Sequence, residues 1–303
     1  MTTRPVAPLA VISPVRDEAR FIRNTLDAMI AQSVLPQEWL FVDDGSTDDT
    51  RSIIESYAAE HPWIRVISRE NRGFRQLGSG VIAAFNFGRE KLLSQDYQYI
   101  AKLDGDMSFP PRYLEIMLDK LDREPALAAV SGKVFRPENG RLVEEFMIDE
   151  MVAGQFKLYK RSAFDDIGGF TQTILWDGID IHRCRMKGYT TISFHDSDAR
   201  LIHHRLMGSS DTNVYKGRVR LGRGIWFMGY HPLYAIASGI FRMHERPYVI
   251  GGLIIIGSYF YAAIRREPQF EDREFIRELR RWQLRKLLGQ GAGSPRPSEK
   301  SRP

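Results

Sequence analysis

Two short acidic motifs stand where apolar runs of the sequence end. VDDGSTDDT contains Asp43 and Asp44, and LDGDMSF contains Asp104 and Asp106. A carboxylate at the end of a strand can accept a hydrogen bond from a ring N–H of a ligand, although Asp is also an ordinary turn and cap residue. Two carboxylates separated by one residue can hold a hard divalent cation that bridges a diphosphate, although an isolated Asp-x-Asp is also common in polar turns.

The elements that must position these acids are strands alternating with helices of 10–15 residues, which implies right-handed crossovers and a parallel sheet covered on both faces. Both acidic motifs then follow strands of one sheet, where ligands of open α/β sheets bind. The predicted strands are 9–13, 39–44, 63–68, 97–104, 126–135, 190–194 and 199–204. The predicted helices are 17–31, 49–60, 79–94, 111–123 and 177–189, and a hairpin or strand pair is expected within 136–176.

The composition bounds the partners of the chain. It has 303 residues, 43% of them hydrophobic, and a net charge of +5, which excludes a disordered or fibrous protein. Residues 265–303 hold 11 basic and 6 acidic side chains, so the rest of the chain is neutral. This argues against nucleic acid as a partner and favours an anionic membrane surface. The single cysteine, Cys184, excludes an intrachain disulfide and a Cys-rich metal site. The first ten residues lack the apolar core of a signal peptide, so a cytoplasmic location is expected.

Taken in order, the motifs resemble those of glycosyltransferase family 2, whose members are inverting, nucleotide-sugar-dependent enzymes with the GT-A fold. They are SPVRDEA, VDDGSTDDT, NRG with the glycine-rich segment after it, LDGDMSF, IGGF and WDGIDIHRCRMKGY, and they cover about residues 8–210. The resemblance implies an α/β fold with a Rossmann-like, mostly parallel sheet and flanking helices. It also implies Mg²⁺ or Mn²⁺ as the cofactor and a nucleotide sugar as the donor.

The resemblance assigns roles to individual positions. Asp43 matches the aspartate that meets the base, and Asp44 is its neighbour near the ribose. Asp104 is expected at the ribose or the metal, and Asp106 as a metal ligand. The other residues expected around the nucleotide and its diphosphate are Pro14, Arg16, Glu18, Arg72, Arg75 and Lys102. For Arg72 and Arg75, a solvated loop charge is the alternative.

The catalytic base has two candidates. Inverting transfer needs a carboxylate that removes the proton of the acceptor hydroxyl. The family usually has Glu-Asp at the start of the helix after the Gly-Gly-Phe segment, and here the pair is Trp176-Asp177, without the first acid. Asp177 matches the position of the base, with a helix N-cap as its alternative role. Asp180 is the second candidate, or an intrahelical partner of a neighbouring arginine. Trp176 either stacks on the acceptor sugar or belongs to the core.

A histidine after the last strand completes the metal coordination in related enzymes, so His203 and His204 are both candidates. Neutral imidazole can join two carboxylates around Mn²⁺. Strand alternation allows only one of the two to face the site, and the sequence leaves open which. A structural histidine is the alternative for each.

The last third of the chain has a different character. The segment 215–224, with Arg218, Arg220 and Arg223, is expected to be either a flexible lid over the diphosphate or a solvated or lipid-facing charged loop. The apolar segments 232–241 and 248–264 are interpreted as re-entrant or interfacial helices, with a core hairpin as the alternative and a membrane span as the weaker one. The basic helix 270–288 is expected to lie on anionic lipid.

These observations predict three regions and one function. The regions are a GT-A catalytic domain over 1–212, a helical, membrane-associated region over 213–288 and a disordered tail over 289–303. The function is transfer of a sugar from a nucleotide diphosphate, most simply a UDP-sugar, to a lipid-linked or polysaccharide acceptor at the cytoplasmic face of the cell membrane. A nucleotide-sugar sensor without turnover and a sugar-phosphate nucleotidyltransferase are the rivals. SPVRDEA lacks the glycine-rich loop that the nucleotidyltransferase needs.

Overall fold

The structure is a computed structural model, and it describes residues 4–71, 73, 78–145, 147–205 and 214–289. Of these residues, those up to 205 form one compact unit and those from 214 onward form a second.

The first unit is built on two sheets. In its described part, seven strands form the larger sheet in the order β10-β6-β9-β4-β1-β2-β3, and four form the smaller one in the order β5-β11-β7-β8. The strands are β1 (Val6–Val15), β2 (Leu35–Asp43), β3 (Ile64–Ser68), β4 (Tyr99–Leu103), β5 (Met107–Ser108), β6 (Leu127–Gly132), β7 (Val134–Glu138), β8 (Arg141–Glu144), β9 (Phe156–Lys160), β10 (Thr190–Phe194) and β11 (Leu201–His203). The predicted alternation of strands and helices is confirmed, because β4, β1, β2 and β3 are parallel neighbours.

Helices cover both faces of the larger sheet. They are α1 (Ile22–Ile30), α2 (Thr50–Glu60), α3 (Ser79–Glu90), α4 (Tyr113–Arg123), α5 (Arg161–Asp166) and α6 (Trp176–Met186). Apolar residues of α1, α2 and α4 pack into one buried cluster, and those of α3, α5 and α6 pack into a second. The central strands β1, β2, β4 and β6 are almost wholly buried, as expected for a sheet with helices on both faces.

One strand of the larger sheet, β9, runs in the opposite direction to its neighbours. This strand lies antiparallel between β4 and β6, so the sheet is only mostly parallel. The predicted single strand over 126–135 is in fact β6 and β7, which belong to different sheets. The expected hairpin within 136–176 is formed by β7 and β8, although β7 already starts at Val134. As a result, β7 and β8 belong to the same sheet as β5, which follows β4, and Gln155, just before β9, accepts a hydrogen bond from the backbone N–H of Asp104.

The second unit contains α7 (Val214–Phe227), α8 (Pro232–Phe241), α9 (Ile250–Ile264) and α10 (Arg273–Leu287). Its small core includes Ile225, Ala235, Ile255 and Tyr259. The glycines of α8 and α9 allow close packing, since a Cβ atom on Gly252 would lie 2.3 Å from the carbonyl oxygen of Gly239. Among the residues described, no helix combines the length and the apolar character needed to cross a membrane.

One expectation for this unit needs correction, and a second stays a prediction. The segment 215–224 is neither a lid loop nor a charged loop, because it lies inside α7, where Gly222 packs against the backbone of Ile255. The helix α10 turns its apolar side inward, with Phe275, Ile276 and Leu279 buried. The expectation that this basic helix lies on anionic lipid concerns its charged side, and it stays a prediction.

Candidate active site

The ends of β1 and β2 bring the first acidic motif next to the first turn of the chain. Val15 pairs with Asp43 in the parallel ladder, and the backbone N–H of Asp44 donates to the carbonyl of Val15 at 2.9 Å. Asp43 is buried, and its Oδ1 accepts a hydrogen bond of 2.9 Å from the backbone N–H of Ser46. The Asp44 carboxylate accepts from Arg69 at 2.9 Å. The motif therefore forms the capped turn that was the alternative to a ligand site. It also lies at the edge of the sheet where the parallel strands β1 and β2 end.

The turn after β1 is held against this motif by side chains. Arg16 is buried and donates to the carbonyl of Asp44 at 3.0 Å and to Oδ1 of Asn71 at 3.1 Å. Pro14 is half-buried at the end of β1. Glu18 is buried and forms an ion pair with Arg205. The three residues predicted from SPVRDEA thus lie at one edge of the sheet with Asp43.

The end of β4 carries the second acidic motif. Lys102 is buried, and its Nζ donates to Asp104 Oδ1 at 2.5 Å and to the carbonyl of Gly154 at 2.8 Å. Gly105 packs closely on α1, because a Cβ there would lie 2.9 Å from the terminal methyl group of Ile22. The strands β4, β1 and β2 are adjacent and parallel, so both acidic motifs occupy the same edge, as predicted.

The smaller sheet decides which histidine lies beside Asp106. His203 pairs with Met107 across the antiparallel strands β11 and β5, and its Nε2 lies 3.5 Å from Asp106 Oδ2. His204 points elsewhere, with its Nε2 at 2.9 Å from Ser108 Oγ. Of the two histidines between which the sequence left the choice open, His203 is therefore the one that lies beside Asp106.

The contacts of His203 and Asp106 form a buried electrostatic cluster. Nδ1 of His203 lies 3.5 Å from Glu145 Oε1, and Arg205 Nε lies 3.3 Å from Asp106 Oδ2. Burial opposes protonation of His203, but the two carboxylates outweigh it and raise its pKa to about 9. Burial likewise opposes ionisation of Asp106, but His203 and Arg205 outweigh it and lower the pKa of that carboxyl.

The helix α6 brings Asp177 to the same edge. Asp177 is half-buried in the first turn, and a Cβ on Gly154 would lie 3.3 Å from its Oδ2. Gly154 is also the glycine whose carbonyl accepts from Lys102. Gly154 therefore lies between the Asp177 carboxylate and Lys102, which in turn contacts Asp104.

Asp180 has a different environment one turn later in α6. Its carboxylate is completely buried and accepts from Lys157 at 2.6 and 2.9 Å, and from Tyr159 at 2.7 Å. The intrahelical arginine pair that was its predicted alternative is replaced by a partner on β9. Trp176 is only 7% exposed and packs on Phe170, so it belongs to the core.

Four predicted residues remain. Arg72 and Arg75 fall outside the described residues. Arg220 and Arg223 belong to α7 of the second unit, where Arg223 pairs with Glu267 at 2.8 Å. Sequence reasoning missed Arg205, Glu145 and Lys157. Only Arg205 carried a signal, since it directly follows the two histidines.

Asp106 and His203 fit a divalent cation by their chemistry. Within the described ranges, no group of three or more His, Cys, Asp or Glu side chains is arranged to hold a metal ion. Asp106 Oδ1 is nevertheless buried and has no hydrogen-bond partner among the described residues. A buried carboxylate oxygen of this kind needs a donor or a cation. Carboxylate oxygen and imidazole nitrogen are both ligands that Mn²⁺ accepts.

The fold and the strand-end cluster correspond to a known family. The model described as Glycosyl transferase family 2 matches residues 10–174, more than half of the chain. The chain therefore belongs to glycosyl transferase family 2, and it is a glycosyltransferase with a GT-A-like α/β fold.

Curated relatives match through a similar region. The chain is 26% identical over 186 residues to a chondroitin synthase of Escherichia coli, covering 57% of this chain and 25% of the relative. It is 24% identical over 194 residues to a poly-beta-1,6-N-acetyl-D-glucosamine synthase of Staphylococcus aureus, covering 57% of this chain and 44% of that relative. The chain thus spans less than half the length of either synthase.

Solved structures share the fold. The mannosyltransferase PcManGT of Pyrobaculum calidifontis, in complex with GDP-Man and Mn²⁺, has a TM-score of 0.53 at 16% identity, covering 95% of this chain and 88% of that one. S. aureus TarS 1-349, in complex with UDP-GlcNAc, has a TM-score of 0.52 at 16% identity, covering 88% and 78%.

Proposed function

We propose that this glycosyltransferase is a metal-dependent, inverting enzyme that moves a sugar from a UDP-sugar to a lipid-linked or polysaccharide acceptor in cell-surface glycan synthesis. The observation that carries the proposal is the convergence of Asp43, Asp104, Asp106 and Asp177 at one edge of the sheet. The printed names of the relatives support a polysaccharide product, and the ligands of the solved neighbours support a nucleotide-sugar donor.

The nucleotide lies over the ends of β1 and β2 in this proposal. Asp43 accepts a hydrogen bond from the base, and Asp44 lies near the ribose. Arg16 keeps the first turn in place through its bond to the carbonyl of Asp44. Pro14 and Glu18 complete the cradle at the end of β1.

The diphosphate lies at the end of β4. Asp106 and His203 would hold Mg²⁺ or Mn²⁺, which would neutralise the charge that the leaving diphosphate gains. Asp104 lies next to the ribose or the metal, and Lys102 fixes its carboxylate through a bond of 2.5 Å. Lys102 is 3% exposed, so its charge acts in a setting that water screens poorly.

Asp177 is the proposed base. It removes the proton of the acceptor hydroxyl while that oxygen attacks the anomeric carbon, and the bond from this carbon to the diphosphate oxygen breaks on the opposite side. The diphosphate leaves with the bonding electron pair, so the configuration inverts. Asp177 is suited to this role because it is half-buried, whereas Asp180 has no exposed surface.

The proposal is tested by donor binding and hydrolysis with a panel of nucleotide sugars and Mn²⁺. We expect Asp106→Asn to weaken Mn²⁺-dependent donor binding about 100-fold, because it removes a metal ligand from a buried cluster. Asp119→Asn, an exposed acid of α4, is the matched control. If wild type binds and hydrolyses no donor, and Asp106→Asn changes nothing, the proposal is wrong. Binding without turnover would favour the sensor.

We also propose that the enzyme works at an anionic membrane surface on the cytoplasmic face, which it meets through one side of α8 and α9. Neither helix contains a charged residue. On α9 the exposed positions recur at helical spacing, and they include Leu253, Tyr261 and Ile264 at 55, 57 and 80% exposure. The exposed arginines Arg265 and Arg266 directly follow this stripe. Apolar side chains next to basic ones are typical of an interfacial helix.

Vesicle binding tests this surface. We expect Leu253→Asp with Ile264→Asp to lower affinity for anionic vesicles by about tenfold or more, since each change removes a large apolar side chain from the lipid. Leu93→Asp, at 71% exposure in the first unit, is the control of equal chemistry. If the double variant binds like wild type, while loss of the basic charges of α10 abolishes binding, lipid contact belongs to α10 instead.

A further inference from the structure

Glu145 is a buried carboxylate without a visible structural reason. It follows β8, it is 9% exposed, and its backbone N–H donates to the carbonyl of Val134 at 2.8 Å. Both of its carboxylate oxygens lack a hydrogen-bond partner among the described residues. Burial of a carboxylate that accepts no hydrogen bond is unfavourable, so this side chain works against stability unless a positive or donating group faces it.

The group that faces Glu145 is the imidazole of His203. Nδ1 of His203 is 3.5 Å from Glu145 Oε1, and Nε2 on the other side of the ring is 3.5 Å from Asp106 Oδ2. The ring of His203 therefore bridges Glu145 and Asp106 through its two nitrogens. Nδ1 also lacks a hydrogen-bond partner among the residues described, so the imidazole and the carboxylate face each other at ion-pair distance.

The smaller sheet fixes this arrangement. Leu201 on β11 pairs with Val134 on β7, and Val134 is the residue that accepts the backbone hydrogen bond of Glu145. The β7–β8 hairpin thus carries Glu145 to the side of the ring that is remote from Asp106.

We infer that Glu145 is a positioning residue for His203, which it orients toward a divalent cation at Asp106. A carboxylate that accepts the Nδ1 proton fixes the ring, so that Nε2, on the side of Asp106, can bind the cation when it releases its own proton to solvent. The inference rests on the metal-dependent part of the proposed function. It gives the β7–β8 hairpin a role in metal affinity without any contact with the sugar.

Mn²⁺ binding to the full chain, measured by calorimetry and by the EPR signal of free Mn²⁺, tests the inference without turnover. We expect Glu145→Gln to weaken Mn²⁺ binding about tenfold, because the amide can accept the same proton but no longer supplies the charge. Glu144→Gln is the matched control, because Glu144 directly precedes Glu145 in the chain and its carboxylate lies 3.5 Å from His195 instead of His203. It should bind Mn²⁺ like wild type.

A double-mutant cycle separates positioning from other roles. In a His203→Gln background, Glu145→Gln should add no further loss, because the residue through which it acts is gone. An equal loss in both backgrounds would mean that Glu145 binds the metal itself or acts through stability, and would overturn the inference. Unchanged Mn²⁺ binding by Glu145→Gln would overturn it while leaving the proposed function intact. A wild type that bound no Mn²⁺ would overturn both.

Discussion

Asp177→Asn should lower kcat by about 10²–10⁴-fold, the usual contribution of a positioned general base, while the affinity for the donor stays unchanged. The amide keeps the size and shape of the side chain but cannot take the proton of the acceptor hydroxyl. Donor affinity is retained in this prediction because Asp177 meets the site through Gly154 rather than through Asp43 or Asp106. Initial rates at varied acceptor and donor concentrations separate the two effects.

The control for this prediction is Asp166→Asn, an exposed acid of α5 whose carboxylate pairs with Lys187 at 2.9 Å. It should leave both constants unchanged. Full activity of Asp177→Asn would exclude Asp177 as the base. A loss confined to donor affinity would instead make it a residue of the nucleotide site.

The sequence predicted the edge of the sheet at which the acids lie because few elements determine it. A buried parallel strand has a strong apolar signal, and the acids at the ends of β2 and β4 share an edge because both strands are parallel to β1. It left the base open because Asp177 and Asp180 are three residues apart in one helix. The structure gives the two acids different environments through Lys157, which lies on β9 and which no local pattern links to α6.

Long-range pairing also explains the other residues that the sequence did not reveal. Strand alternation showed that only one of His203 and His204 faces the site, but the register with β5 decides which. Glu145 follows an exposed strand, so its burial depends on contacts that local sequence does not encode. In the second unit, apolar character predicted α8 and α9, whereas the inward side of α10 became clear only from packing.

Asp180→Asn should reduce the free energy of unfolding by about 3–5 kcal/mol, the cost of breaking a buried ion pair from one side. Lys157 and Asp180 are both 0% exposed in their side chains, and Lys157 also donates to the carbonyl of Asp177 at 2.8 Å. The change would leave the Lys157 ammonium buried opposite a neutral amide. Urea unfolding of wild type and variant measures the loss.

Two comparisons make this result specific to the buried pair. Asp119→Asn breaks the exposed pair with Arg123 and should cost less than about 1 kcal/mol. Lys157→Met combined with Asp180→Leu removes both charges and should be more stable than either single change, because no charge is then left without its partner. If Asp180→Asn kept full stability and still abolished transfer, Asp180 rather than Asp177 would be the base. The Lys157–Asp180 pair connects α6 to the antiparallel strand β9, and Lys157 also holds the carbonyl of Asp177. The pair thereby helps to position Asp177 beside Gly154.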